Sequence, residues 1–155
     1  MLVAAGREIA PLLQKERCLY GSKEKMDLIR QGYYREMPYA EDTDPSILES
    51  IGKANPEDID NICAYLNAGI VLITCCGTST DVIKPENGIA GTPSVMTDGT
   101  WVWPGDLSYY IKNYQLSLAP EFIADMRDHN WKVDLQEAEL DYASIEIEGN
   151  RLVEE

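Results

Sequence analysis

The sequence is poor in metal ligands and in basic residues. It contains one histidine, His129, and its four cysteines show no Cys-x-x-Cys spacing. A zinc site would therefore need thiolates from distant segments, and we expect neither a metal nor a cofactor. Only 13 Lys and Arg stand against 27 Asp and Glu. This balance argues against a nucleic-acid surface, because binding phosphates needs a basic patch.

Long apolar runs are also missing. The longest, residues 70–76, is interrupted by Thr74 and falls far short of the roughly 20 residues that span a bilayer. Arg7 and Glu8 interrupt the apolar N-terminus too early for a secretory signal. Four cysteines without a pairing pattern are typical of reduced thiols. We therefore expect a cytoplasmic protein with no membrane partner. At 155 residues and 45% hydrophobic content, we expect one domain over residues 1–155.

What the sequence has in abundance is negative charge, and this charge is concentrated. Residues 36–60 and residues 134–155 each carry a net charge of −7, which accounts for the whole net charge of −14. Such segments can be solvated faces that maintain solubility, or an acidic surface complementary to a basic partner. On the second interpretation, the candidate partner-binding residues are Glu41, Asp42, Asp44, Glu57, Asp58, Asp60, Glu137, Glu139, Asp141, Glu146 and Glu148.

Apolar spacing in the first half of the chain predicts helices. We predict one over residues 2–19 and one over residues 23–34, with Ser22 as its N-cap. Asp44 followed by Pro45 predicts the start of a third helix. Residues 56–69 then place apolar side chains on one helical face, and Gly69 ends the pattern.

The second half begins with β-formers. Residues 70–76 read as a buried strand, residues 81–85 as a partner strand, and residues 88–94 as a loop. Asp98-Gly99 between β-formers predicts a two-residue hairpin. Helices follow over residues 106–116 and 119–131, and the C-terminal segment favours an exposed hairpin over a helix. This order predicts an α+β fold with N-terminal helices and a small antiparallel sheet.

Five aromatic residues lie within 14 positions: Trp101, Trp103, Tyr109, Tyr110 and Tyr114. They can form the core between a sheet and a helix, or an aromatic anchor at an interface. A cavity beside the two tryptophans would instead indicate a small hydrolase or a ligand-binding protein. We find no G-x-S-x-G, P-loop or G-x-G-x-x-G motif and no catalytic residues, so we do not expect an enzyme.

The same segment carries a resemblance. Residues 97–110, Thr-Asp-Gly-Thr-Trp-Val-Trp-Pro-Gly-Asp-Leu-Ser-Tyr-Tyr, with the later Tyr114, residues 118–122 and Trp131, fit a recurring pattern. This pattern, T-D-G-x-W-x-W-x-x-D-L-x-Y-Y, resembles a module of small bacterial immunity proteins from polymorphic-toxin and contact-dependent growth inhibition systems. With residues 64–69 and the strand that leads to Asp81, the resemblance covers roughly residues 59–131.

The resemblance implies a non-catalytic protein that binds and neutralises a cognate toxin domain. Many such toxins are nucleases with basic surfaces, which an acidic partner would complement. It implies a heterodimer with the toxin, while an exposed C-terminal edge strand could pair with a second copy or with the partner. The alternative is a regulatory module for another basic protein, or the hydrolase or ligand-binding protein described above.

Overall fold

The structure is a computed structural model that describes residues 25–151. Its strands are Met26–Arg30 (β1), Ile70–Ile73 (β2), Ser79–Thr80 (β3), Ile89–Gly91 (β4), Val95–Thr97 (β5), Trp101–Pro104 (β6), Ile145–Ile147 (β7) and Asn150–Arg151 (β8). Its α-helices are Ile59–Asn67 (α1), Leu107–Tyr114 (α2) and Pro120–Asp128 (α3). Single 3-10 turns are Ile47–Glu49, Pro85–Asn87, Glu137–Glu139 and Tyr142–Ser144. The helix predicted over residues 2–19, like Ser22, lies outside the described residues.

The main sheet has six strands in the order β2-β5-β6-β1-β7-β8, and β3 pairs with β4 in a separate two-stranded sheet. β1 runs parallel to both of its neighbours, β6 and β7, whereas the other pairs are antiparallel. The α+β class is confirmed. The sheet is mixed rather than antiparallel because an early strand inserts between two later ones.

The prediction of a helix over residues 23–34 is wrong, because this segment contains the strand β1. Leu28 is fully buried while its neighbours Asp27 and Ile29 are exposed, which is the alternation of a strand. A short apolar pattern fits both the helical period and the strand period, so the availability of neighbouring strands decides which structure forms. Here Met26 pairs with Ile145 and Ile29 with Trp101, so that both edges of β1 find a strand.

The helix predicted from Asp44 shortens to the 3-10 turn Ile47–Glu49. Its N-cap is Ser46, whose hydroxyl accepts a hydrogen bond from the Leu48 amide at 3.3 Å, whereas Asp44 is engaged elsewhere. The strand predicted over residues 70–76 is confirmed for Ile70–Ile73. It is not buried throughout, because it lies at the end of the sheet and only Leu72 is buried.

The hairpin at Asp98-Gly99 is confirmed, with its tip one residue later than predicted. Thr97 pairs with Val102, which places Asp98 opposite Trp101 and leaves Gly99 and Thr100 as the turn. Asp98 stabilises this turn, because its carboxylate accepts hydrogen bonds from the amides of Thr100 and Trp101 at 2.9 and 2.8 Å. Gly99 adopts a φ of +98°, a conformation that glycine favours.

Two other predictions in this region are wrong. Residues 81–85 form no strand, and β4 lies inside the segment predicted as a loop over residues 88–94. The partner of β4 is β3, immediately before Asp81. The C-terminal hairpin is confirmed as β7 and β8. It is not exposed as a whole, because β7 pairs with β1 and buries Ile145 and Glu146.

The sheet buries a different core on each face. On one face, α1, α2 and α3 cover a cluster that includes Trp101, Trp103, Tyr110 and Phe122. Trp101 stacks on Phe122 with ring centroids 4.8 Å apart, and Trp103 is fully buried. The core interpretation of the aromatic cluster is therefore confirmed for Trp101, Trp103 and Tyr110, whereas Tyr109 and Tyr114 are half-buried against this core. The other face buries an aliphatic cluster formed by Leu28, Leu72, Val102, Leu140 and Ile145.

Candidate functional site

A groove of about 480 Å³ opens at the carboxyl end of β1. It is lined by residues 30–34, 43–45 and 117–119 together with Ser50 and Glu148. Gly32 turns the chain here with a φ of +79°, and a Cβ at this position would lie 2.4 Å from a Leu107 methyl group. The groove brings together Asp44 from the first acidic segment and Glu148 from the second. We call it the β1 groove.

Arg30 is the central cation of the β1 groove. Its guanidinium donates two hydrogen bonds to Asp44, at 2.7 and 3.1 Å, and contacts the Glu41 carboxylate at 3.3 Å. It also lies 4.3 Å from the centre of the Tyr33 ring. Burial lowers the pKa of Arg30, but the hydrogen bonds and charges of Asp44 and Glu41 outweigh it and leave that pKa raised. Arg30 is therefore a fixed, neutralised cation, and it anchors the loop of residues 41–44 to the sheet.

Three of the candidate partner-binding residues are largely buried in ion pairs. The side chain of Asp44 is 8% exposed against Arg30, and Asp58 is 15% exposed against Arg127. Glu146 is 10% exposed and lies 2.8 Å from the Lys25 ammonium group. These carboxylates are already satisfied by cations of the same chain, so they contribute to the fold more than they offer to a partner.

The other candidates are more accessible. Asp141 is half-buried and accepts a hydrogen bond from the Ser144 hydroxyl at 2.9 Å. The remaining seven are exposed: Glu41, Asp42, Glu57, Asp60, Glu137, Glu139 and Glu148.

These exposed carboxylates do not form a single cluster. Glu41 and Glu148 lie at the β1 groove, where Glu148 accepts a hydrogen bond from the Arg30 amide at 3.3 Å. Asp60 lines a shallow hollow of about 370 Å³ between α1 and α2, which also contains Lys112. Glu137 and Glu139 lie in the 3-10 turn just before Leu140, whose side chain packs on the aliphatic face of the sheet. The structure therefore joins the two acidic segments at one place, the β1 groove.

Asp81 is a buried carboxylate that lies outside both acidic segments. It is 0% exposed and accepts hydrogen bonds from the amides of Ile83 and Lys84 and from the hydroxyls of Tyr109 and Tyr114, at 2.5 to 2.9 Å. Burial raises the pKa of Asp81, yet these hydrogen bonds outweigh it and lower that pKa to about 2. Asp81 thus binds the loop after β3 to α2.

Asp106 holds the same region from the other side. It is 2% exposed and accepts hydrogen bonds from the Tyr39 hydroxyl at 2.9 Å and the Ser79 hydroxyl at 2.6 Å. Burial raises the pKa of Asp106, and the two hydroxyls offset that effect only in part. Asp106, Tyr109 and Tyr110 of the resemblance pattern therefore bind neighbouring loops to the start of α2. Their roles depend on long-range contacts that no local spacing reveals.

His129 follows α3 and is exposed, as expected for a histidine at a helix end. Its Nδ1 lies 2.7 Å from the Asp125 carbonyl oxygen, and this hydrogen bond with the nearby carboxylates raises its pKa. The adjacent cavity, about 50 Å³, contains Asp98 and Asp134. It is too small for an ordinary ligand.

The three described cysteines form no disulfide. Cys63, Cys75 and Cys76 are free, and burial raises the pKa of Cys63. Neither Cys75 nor Cys76 is buried, although the sequence analysis placed both in a buried strand. Within residues 25–151, no cluster of three or more His, Cys, Asp or Glu side chains could hold a metal ion. In the same part of the chain, no helix has the length and apolar character needed to cross a membrane.

Comparison with known proteins adds no relative: no protein family, curated protein or solved structure matches the chain.

Proposed function

We propose that this chain is a cytoplasmic, non-catalytic inhibitor that binds a basic toxin domain, in the manner of a bacterial immunity protein. One observation supports it above others: the two acidic segments meet at the β1 groove, which is lined by Asp44 and Glu148, while Glu41 contacts its Arg30. Glu41 and Glu148 are exposed there. The resemblance over residues 59–131 supports the same class. The candidate surface lies mainly outside that module, where a partner-specific surface is expected.

The charges of the groove favour a cationic partner. Arg30 contributes one positive charge, and Glu41, Asp44 and Glu148 contribute three negative charges, a local net of −2. Asp44 takes both hydrogen bonds of the Arg30 guanidinium, and Glu41 lies beside the same guanidinium with its side chain 61% exposed. A Lys or Arg side chain of a partner can therefore bind Glu148, which forms no ion pair among the described residues, and share Glu41 with Arg30. A net charge of −14 adds a long-range attraction that speeds the encounter with a basic domain.

The same surface would serve a regulatory module for another basic protein. Gene order separates these two functions, because an immunity gene is expected directly downstream of a large toxin gene. The hydrolase hypothesis required a cavity beside Trp101 and Trp103. That space is a packed aromatic core, so no observation favours this hypothesis.

The test is the rate of association with the C-terminal domain of the toxin encoded directly upstream, measured by stopped-flow fluorescence at several salt concentrations. We expect a one-to-one complex whose association rate falls as salt rises. The absence of a complex, or one whose formation is indifferent to salt, would contradict the proposal.

Three charge-reversal variants identify the contact surface. Each replaces three exposed carboxylates by lysine, so each changes the net charge equally. The first changes Glu41, Asp42 and Glu57, the second changes Glu137, Glu139 and Glu148, and the control changes Glu86, Glu121 and Asp128 in the neutral remainder of the chain. Since Glu41 and Glu148 both lie at the β1 groove, at low salt we expect the first and the second each to slow association by about tenfold or more beyond the control. Equal slowing in all three would reduce the effect to net charge and remove the proposed surface.

A further inference from the structure

β2 is an end strand of the six-stranded sheet, and it exposes apolar side chains. Val71 is 41% exposed and Ile73 is 39% exposed, while Leu72 between them is buried. Among residues 25–151, no strand pairs with the outer side of β2. Within the part of the chain that the structure describes, its outward backbone groups therefore have no strand partner and can pair with another strand.

The neighbourhood of β2 is unusual in this chain because it is uncharged. From residue 61 to residue 80 the sequence contains no Asp, Glu, Lys or Arg. Proteins commonly protect an edge strand with charges, with proline or by keeping it very short. β2 has only a bulge between Val71 and Ile73.

We propose that β2 is a dimer contact that takes the β2 strand of a second copy of this chain. Two copies of net charge −14 repel each other over most of their surfaces. At β2 they can approach without placing carboxylates opposite each other. A neutral edge offers a basic partner no charge complementarity, whereas pairing with a second copy removes two apolar edges from water.

Strand symmetry fits this occupant. In an antiparallel pair with its two-fold axis at Leu72, Val71 of each chain lies opposite Ile73 of the other. Such β-branched pairs stabilise a sheet. The contact joins two six-stranded sheets into one. Because a four-residue strand buries little area, we expect a weak dimer whose population depends on concentration.

The experiment is sedimentation equilibrium of the full chain over about a hundredfold range of concentration. The test variant is Ile73→Lys, and the matched control is Leu48→Lys, at a side chain that is 62% exposed in the turn Ile47–Glu49. Both variants change the net charge from −14 to −13. We expect the wild type and Leu48→Lys to dimerise, and Ile73→Lys to raise the dissociation constant about tenfold or more.

Two results would overturn the proposal: a wild type that stays monomeric throughout, or equal dimerisation of the two variants. If Ile73→Lys fails to fold, hydrogen exchange of the unaltered chain replaces it. The outward amides of β2 should then exchange more slowly at high concentration than at low concentration, and unchanged exchange would contradict the dimer. Neither measurement contains a toxin domain, so its outcome is independent of the proposed function.

Discussion

Asp81 and Asp42 carry the same side chain in two very different environments. Asp81 is fully buried and receives hydrogen bonds from two amides and two tyrosine hydroxyls. Asp42 is exposed on the loop after β1. The first lies in the neutral remainder of the chain and the second in an acidic segment. The comparison shows that a carboxylate's contribution to the fold follows from burial and donors, while local charge density indicates only where a partner could be attracted.

Asp44 shows that a carboxylate of an acidic segment can also be a buried structural residue. By sequence it belongs to the first acidic segment, but its side chain is 8% exposed and bound to Arg30. The backbone amide of Glu41 also donates a hydrogen bond to the Asp44 carboxylate at 2.8 Å. Asp44 therefore belongs with Asp81 in its structural role, and a search for partner contacts should begin at the exposed carboxylates.

The largest expected effect comes from removing the buried carboxylate. Asp81→Ala leaves two amides and two hydroxyls without their acceptor, and it should lower the free energy of unfolding by about 3 kcal/mol or more. Asp42→Ala, the matched control, should change it by less than about 0.5 kcal/mol. Urea unfolding followed by circular dichroism measures both. Similar losses in the two variants would remove the distinction drawn between these carboxylates.

A smaller effect is expected from pH. The pKa of Asp81 is lowered from 3.8 in the unfolded chain to about 2 in the folded protein. Ionisation of Asp81 therefore stabilises the fold, and this contribution is complete at pH values above 3.8. This contribution is lost as the pH falls from 3.8 towards 2. Asp106 has a raised pKa, so its contribution has the opposite sign and offsets part of the loss on acidification.

The pH effect is isolated by comparing the wild type with Asp81→Asn in urea unfolding at a series of pH values. The stability advantage of the wild type should be greatest near neutral pH and should shrink through the window between 3.8 and about 2. A constant difference across that window would show that the charge of Asp81 is not what its hydrogen bonds stabilise.

The smallest effect is expected from neutralising exposed carboxylates. The double variant Asp42→Asn and Glu137→Gln changes the net charge from −14 to −12. Its melting temperature should stay the same or rise slightly at low salt, because self-repulsion decreases, and the rise should vanish at high salt. A clear fall in melting temperature would show that these two side chains make structural contacts and belong with Asp81.

Local patterns predicted the helices between residues 56 and 131 and the β5–β6 hairpin better than the other strands. The helices α1, α2 and α3 have strong apolar periodicity and clear start signals, such as Pro120, and each is present. The β5–β6 hairpin is encoded in its own turn residues. The segment of β1 was predicted as a helix because a strand of five residues with one buried side chain has too little periodicity to exclude a helix. Asp81 was missed as a structural residue because its tyrosine donors lie 28 and 33 positions away.

The net charge, its division into two segments, the main helices and the aromatic core that joins them to the sheet can all be read from the amino-acid sequence alone. These features follow from composition and from spacing over a few residues. Three further features depend on the folded chain: β1 is a central parallel strand, Arg30 neutralises Asp44, and the two acidic segments meet at the β1 groove. Strand pairing and ion pairing join residues that are distant in the chain, so no local periodicity predicts them.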